Sequence, residues 1–128
     1  MRDFKELTVW QKSMDLAHHF LMASIDLEGG ADAPLAMVSG AAVALTAHIA
    51  EGATRVSARE FMRFLYEGIS CTAEMETLLL IGERIKAPWF TPSILEETGL
   101  IRKMLYGLIA SLRKSTVKDA EKVAEKAA

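Results

Sequence analysis

Three arginines, Arg55, Arg59 and Arg63, follow one another at four-residue steps. On a helix they line one side, and a ring-shaped oligomer would repeat the row around its axis as a multivalent phosphate-binding surface. Glu60 and Glu67 stand close by in sequence, so the row also reads as paired or solvated arginines, and a formal net charge of -2 weighs toward that reading. Nucleophilic chemistry would have to use Cys71, the single cysteine, with His48 as the nearest candidate base. Cys71 falls within an apolar row of a helix interior, where burial raises a thiol's pKa and suppresses the thiolate. A di-metal carboxylate site in a helical bundle needs two Glu-x-x-His pairs and two further glutamates. No Glu-x-x-His pair is present: His48 and Glu51 stand three apart in the reverse order, and His18 and His19 have no glutamate at ligand spacing on their helix. Gly29-Gly30 follows a helix and does not form a phosphate-cradling loop. The residues therefore predict no catalytic site, no cofactor and no metal.

Composition narrows the classes further. The chain has 128 residues, enough for one domain with a core of its own. Fifteen Lys and Arg against 17 Asp and Glu exclude the strongly basic profile of a dedicated nucleic-acid module, so such binding would need a local patch. One cysteine cannot form an internal disulfide, and with no cleavable leader the expectation is a reducing, cytoplasmic setting.

The elements that must position these residues are helices. Breaks at Glu28 to Pro34, Thr54 to Ser57 and Lys86 to Pro92 hold all three prolines, and they predict helices over roughly 8–27, 34–53, 58–85 and 93–115. Thr8 with Gln11, Ser57 with Glu60 and Ser93 with Glu96 each fit a capping box, and Pro34 suits the opening of the second helix. Apolar residues recur at steps of three and four: Trp10, Met14, Ala17, Leu21 and Ile25 in the first helix, and Leu35, Val38, Ala42, Leu45 and Ile49 in the second. Phe61, Leu65, Gly68, Thr72, Met75 and Leu79 continue the pattern in the third, as do Ile94, Thr98, Ile101, Leu105, Leu108 and Leu112 in the fourth. Short connections make neighbours antiparallel, so the fold class is all-α, an up-down-up-down four-helix bundle over residues 1–115. Residues 116–128 form a charged, alanine-rich helical extension or tail with few core anchors.

Two helices carry a second apolar row: Phe64, Cys71, Leu78 and Ile85 on the third, and Val9, Leu16, Phe20, Ala23 and Leu27 on the first. One bundle core does not need both, so the expectation is a homo-oligomer whose interface candidates are Phe64, Cys71, Leu78, Ile85, Leu16 and Phe20. The uncharged stretch from Ala33 to Ala50 is long enough to suggest a membrane span. Its alanines, Ser39, Gly40, Thr46 and His48, and its lack of basic and aromatic flanks, point instead to a small-residue helix packed on several sides. Within it, Gly40-Ala41-Ala42-Val43-Ala44 invites close approach of another backbone, and Gly52 suits a left-handed helix cap.

The opening Met1-Arg2-Asp3-Phe4-Lys5-Glu6-Leu7-Thr8-Val9-Trp10-Gln11-Lys12 resembles that of a bacterial family of four-helix bundle proteins, first noticed as products of intervening sequences in large-subunit ribosomal RNA genes. Ile49-Ala50-Glu51-Gly52, Ser57, Glu60-Phe61, Arg63-Phe64-Leu65-Tyr66, Ser70, Glu74 and Glu76-Thr77 carry the resemblance on to about residue 82. That family is similar in fold to the accessory variability protein of diversity-generating retroelements, a pentameric barrel that binds a reverse transcriptase and nucleic acid. The resemblance implies the bundle and a five-fold assembly, and it implies no catalysis. The chain departs from the family where paired arginines and a Ser-Ile-Pro-x-Asn run are usual, having Gly40-Ala41-Ala42 and then Ala44 to His48. The expected function is a non-enzymatic homo-oligomeric scaffold or adaptor, a pentamer by resemblance. The alternatives are a nucleic-acid-binding accessory of a ribonucleoprotein or reverse transcriptase system and, third, a metal-dependent enzyme.

Overall fold

The computed structural model describes residues 3–127, the side chains of 120 and 127 excepted, so Met1 and Arg2 of the opening motif and Ala128 of the tail lie outside the described residues. Four helices are present: α1 (Thr8–Asp26), α2 (Ala33–Ala53), α3 (Ala58–Arg84) and α4 (Pro92–Ala127), with no strand among the described residues. Their starts are set by local hydrogen bonds to exposed N–H groups. Asp32 Oδ1 accepts from Leu35 N at 2.8 Å before α2, whose first turn holds Pro34. Ser57 Oγ accepts from Glu60 N at 3.2 Å before α3, the hydroxyl half of the expected capping box. The other two boxes are not used. Thr8 lies inside α1, which is preceded by a 3-10 turn, Phe4–Glu6, capped by Asp3. Gln11 Nε2 then ties α1 to that turn by donating to Lys5 O at 2.8 Å. Before α4 it is Thr91 that accepts from Ile94 N, at 3.4 Å.

Helix α4 runs past the expected end at 115 to Ala127. Alanine, lysine and glutamate are strong helix formers and nothing in this stretch breaks the helix, so it continues without core contact. Residues 113–119 and 121–126 are all exposed.

Helix directions follow from two contacts across α3 and α4. Tyr66 meets Arg113 and Glu76 meets Arg102, so advancing along one helix retreats along the other. At the far end, Trp89 Nε1 donates to Asp32 Oδ2 at 2.8 Å, which brings the α3–α4 loop beside the α1–α2 loop, as alternating helices require. α2 packs against α1 and α3, α3 also packs against α4, and α1 touches α4 more sparsely. Phe20, Leu35, Leu45, Ile49, Leu65, Met75, Leu79 and Leu105 are fully buried between them.

The two apolar rows of α1 exchange roles relative to expectation. Val9, Leu16, Ala17 and Phe20 form the core face, whereas Met14, Leu21 and Ile25 are 43, 44 and 73% exposed. Periodicity sees both rows, but only the neighbouring helices set the rotation. Trp10 stays half-buried, edge-on to Phe4 at 5.3 Å between ring centroids.

On α3 the second row is also covered within one chain. Phe64, Cys71 and Leu78 are buried, because α3 lies between α2 and α4 and so has two covered sides. Leu16, Phe20, Phe64, Cys71 and Leu78 are therefore not open to a second copy, which corrects five of the six interface candidates. Ile85, 56% exposed, is the one left open.

Helix α2 is long and apolar enough to cross a membrane, yet it is held between α1 and α3 with Leu35, Val38, Ala42, Leu45 and Ile49 fully buried. Two small residues of α2 behave differently from expectation. Gly40 is exposed, and a Cβ there would meet nothing within 4 Å. Gly52 lies inside the helix and is not a left-handed cap; a Cβ there would sit 2.7 Å from Phe64 Cβ and 2.9 Å from Phe61 Cδ1. Its missing side chain lets α3 turn back tightly onto α2.

Candidate nucleic-acid interface

The tight turn after Gly52 places the arginine row at one end of the bundle. Arg55 lies in the turn itself, while Arg59 and Arg63 sit in the first two turns of α3, all three exposed. The row does not act as a single line. The guanidinium carbons of Arg55 and Arg63 stand 4.9 and 4.7 Å from the ring centroid of Phe64, so both cations are held on one aromatic ring. Phe64 itself is buried outside the main apolar cluster. Arg59 and Arg63 line a groove on the α3–α4 seam with Met62, Tyr66, Glu67 and Arg113.

Arg113 is the residue that sequence reasoning missed. Its Nη2 donates to Tyr66 Oη at 2.7 Å across the seam, 47 residues away in the chain. No local pattern marks that pairing; a helical wheel of α4 extended past residue 112 would have put Arg113 on the side of Tyr106.

Among the described residues no carboxylate pairs with these arginines. Among the described residues the one ion pair is Arg102 to Glu76, at 2.6 Å, further along the seam. Glu60 and Glu67 are not within ion-pair distance of Arg55, Arg59, Arg63 or Arg113. Pairing across one helical turn is thus replaced by cation–ring packing, and the guanidinium donors remain free to bind an anion.

The residues considered for catalysis fall elsewhere. Cys71 is buried; burial pushes its thiol above the ordinary value, and the charges of Glu74 and Glu67 add to the rise. His48 neighbours Phe64, with ring centroids 6.5 Å apart, and its Nδ1 is buried with no hydrogen-bond partner among the described residues. Among those residues, no group of three or more His, Cys, Asp or Glu is placed to hold a metal ion.

Comparison with known proteins places this architecture. A protein from Bacteroides thetaiotaomicron, described as of unknown function and from the S23 ribosomal protein family, has a crystal structure that matches with a TM-score of 0.69. It is 21% identical, and the match covers 80% of this chain and 98% of that one, a likeness of fold. No curated protein matches the chain. The family model for the 23S rRNA-intervening sequence protein matches residues 5–107, which include α1, α2, α3 and nearly half of α4. With most of its length inside that model, the chain belongs to the 23S rRNA-intervening sequence protein family.

Proposed function

We propose that this protein is a non-enzymatic, cytoplasmic homo-oligomer that serves as a scaffold or adaptor, with five copies as the assembly that its sequence resemblance favours. The observation that carries the reading is the outer row of α1. Met14, Leu21 and Ile25 share one side of the helix at spacings of seven and four, and all three are exposed. An exposed apolar row of this kind fits a surface that another protein covers. A second copy of the chain is always present at matching concentration, and closed symmetric assembly is the usual outcome. Light scattering on the full chain tests this. Assembly at micromolar concentration, lost on Leu21→Lys or Ile25→Lys with helicity retained, supports it, and a wild-type monomer sinks it.

The unpaired arginines favour a second reading, an accessory role in a ribonucleoprotein or reverse transcriptase system in which Arg55, Arg59 and Arg63 contact nucleic acid. Its test is binding across a salt series. Affinity should fall as salt rises, and replacing the three arginines by alanine should weaken binding and flatten the slope by about 1 per lost phosphate contact. Salt-independent binding, or binding unchanged by the triple replacement, removes the reading.

A further inference from the structure

The α3–α4 seam holds more than a row of positive charge. Arg59 and Arg63 approach it from α3 and Arg113 from α4, around an open groove of about 420 Å³. Glu67 is the one carboxylate in its lining and is not within ion-pair distance of the three arginines. Between the cations lies Tyr66, 44% exposed, with its hydroxyl held by Arg113. That hydrogen bond holds the side chain by its hydroxyl, and much of the residue stays open for packing. Seven residues before Arg113 on the same side of α4 comes Tyr106, 50% exposed and about 10 Å further along the helix.

We infer that this seam binds single-stranded nucleic acid, with Arg59, Arg63 and Arg113 on backbone phosphates and Tyr66 as the platform on which a base stacks. The inference rests on the nucleic-acid reading above and adds to it the class of ligand and two residues, Tyr66 and Arg113. Physical chemistry separates the candidates. A base in a duplex is already stacked on both faces, so an exposed tyrosine in an open groove gains nothing from it, whereas an unpaired base has a free π-face. Arg59 and Arg63 are one turn apart, about 6 Å along the helix, which suits neighbouring phosphates of an extended strand better than one isolated phosphate. An acidic peptide would satisfy the guanidiniums but has no use for an exposed ring between them. Tyr106 extends the same surface toward a second base. Arg113 lies beyond residue 107, where the family match ends, so the closure of the groove is supplied by the C-terminal part of α4.

The experiment is fluorescence anisotropy on the full chain with a short labelled single strand, a duplex of the same sequence, and an unlabelled poly-glutamate competitor, all at low salt. The single strand should bind at least about tenfold more tightly than the duplex. Tyr66→Ala should lose about 5- to 100-fold in single-strand affinity. Tyr66→Phe, which keeps the ring and loses the bond to Arg113, should lose much less, and Arg113→Gln should weaken binding and reduce its salt dependence. All three replacements are at exposed positions, and thermal melting confirms that each variant folds. Equal affinity for duplex and single strand, an unaltered Tyr66→Ala, or competition by poly-glutamate as effective as unlabelled strand overturns the stacking inference while the arginine reading stands. Binding of neither nucleic acid overturns both.

Discussion

The indole of Trp89 and the carboxylate of Asp32 join two loops that are 57 residues apart in the chain. Trp89 Nε1 donates to Asp32 Oδ2 at 2.8 Å while the other oxygen of the same carboxylate caps α2 through Leu35 N. One side chain thus starts a helix and fastens the loop that reverses the chain between α3 and α4. Trp89, 5% exposed, packs against Gly82, where an added Cβ would stand 2.5 Å from Trp89 Cη2.

Three substitutions test this clasp. Asp32→Ala removes a cap and leaves the indole N–H unpaired, at a cost of about 1–3 kcal/mol. Trp89→Ala empties a buried site and should cost about 3–5 kcal/mol. Gly82→Ala forces the indole out of place and should cost about 1–3 kcal/mol. Urea titrations measure all three, and a neutral Gly82→Ala would contradict the close approach.

Two glycines of α2 should respond in opposite directions. Gly40 is helical with open space around it, so Gly40→Ala should stabilise the chain by about 0.5–1 kcal/mol. Gly52 faces Phe64 Cβ and Phe61, so Gly52→Ala should destabilise it by at least about 1 kcal/mol despite the same gain in helix propensity. Thermal melts of the pair give the sign directly.

Lys86 ends α3 in the left-handed region, with φ of 55°, and Ala87 N donates back to Gly82 O at 2.9 Å. Glycine is the usual residue at such a position because it lacks the Cβ that crowds the carbonyl. Lys86→Gly should therefore raise stability by about 0.5–1 kcal/mol, and a lower melting temperature would argue against this conformation.

Cys71 links stability to alkaline pH. Burial holds its thiol above the ordinary value, so the folded state keeps its proton where the unfolded chain has lost one. That contribution is complete below the ordinary thiol value, near 8.5. It fades as pH rises toward the raised value. Wild type should lose more stability than Cys71→Ala between pH 8 and 10. The native thiol should also react with a disulfide reagent far more slowly than the unfolded one. Rapid native labelling would contradict the burial.

Truncation after Arg113 should leave unfolding unchanged within about 0.5 kcal/mol, since residues 114–119 and 121–126 are exposed and touch no core. Circular dichroism should show the loss of helix signal without a shift in midpoint. A marked fall in stability would mean that this part of α4 is covered.

Residue types and spacing determined the four helices, all four of their starts to within a residue, and the absence of strand alternation. Those features depend on capping, proline placement and a period of 3.6, all of which act within a few residues. The likeness of the stretches from Met1 to Thr77 to a known family also pointed to the family that the match over residues 5–107 shows. The same period placed the core faces of α2, α3 and α4, whose expected rows are buried or half-buried, but the rotation of α1 about its axis was decided only on packing. Leu16 and Phe20 of α1 turned inward and Met14, Leu21 and Ile25 outward, a choice between two apolar rows that only contact with the neighbouring helices makes. The arginines divided the same way. Their common helical side was legible, but their sharing of Phe64, and the closing of the groove by Arg113 from α4, depend on contacts between segments far apart in the chain, which no local pattern encodes.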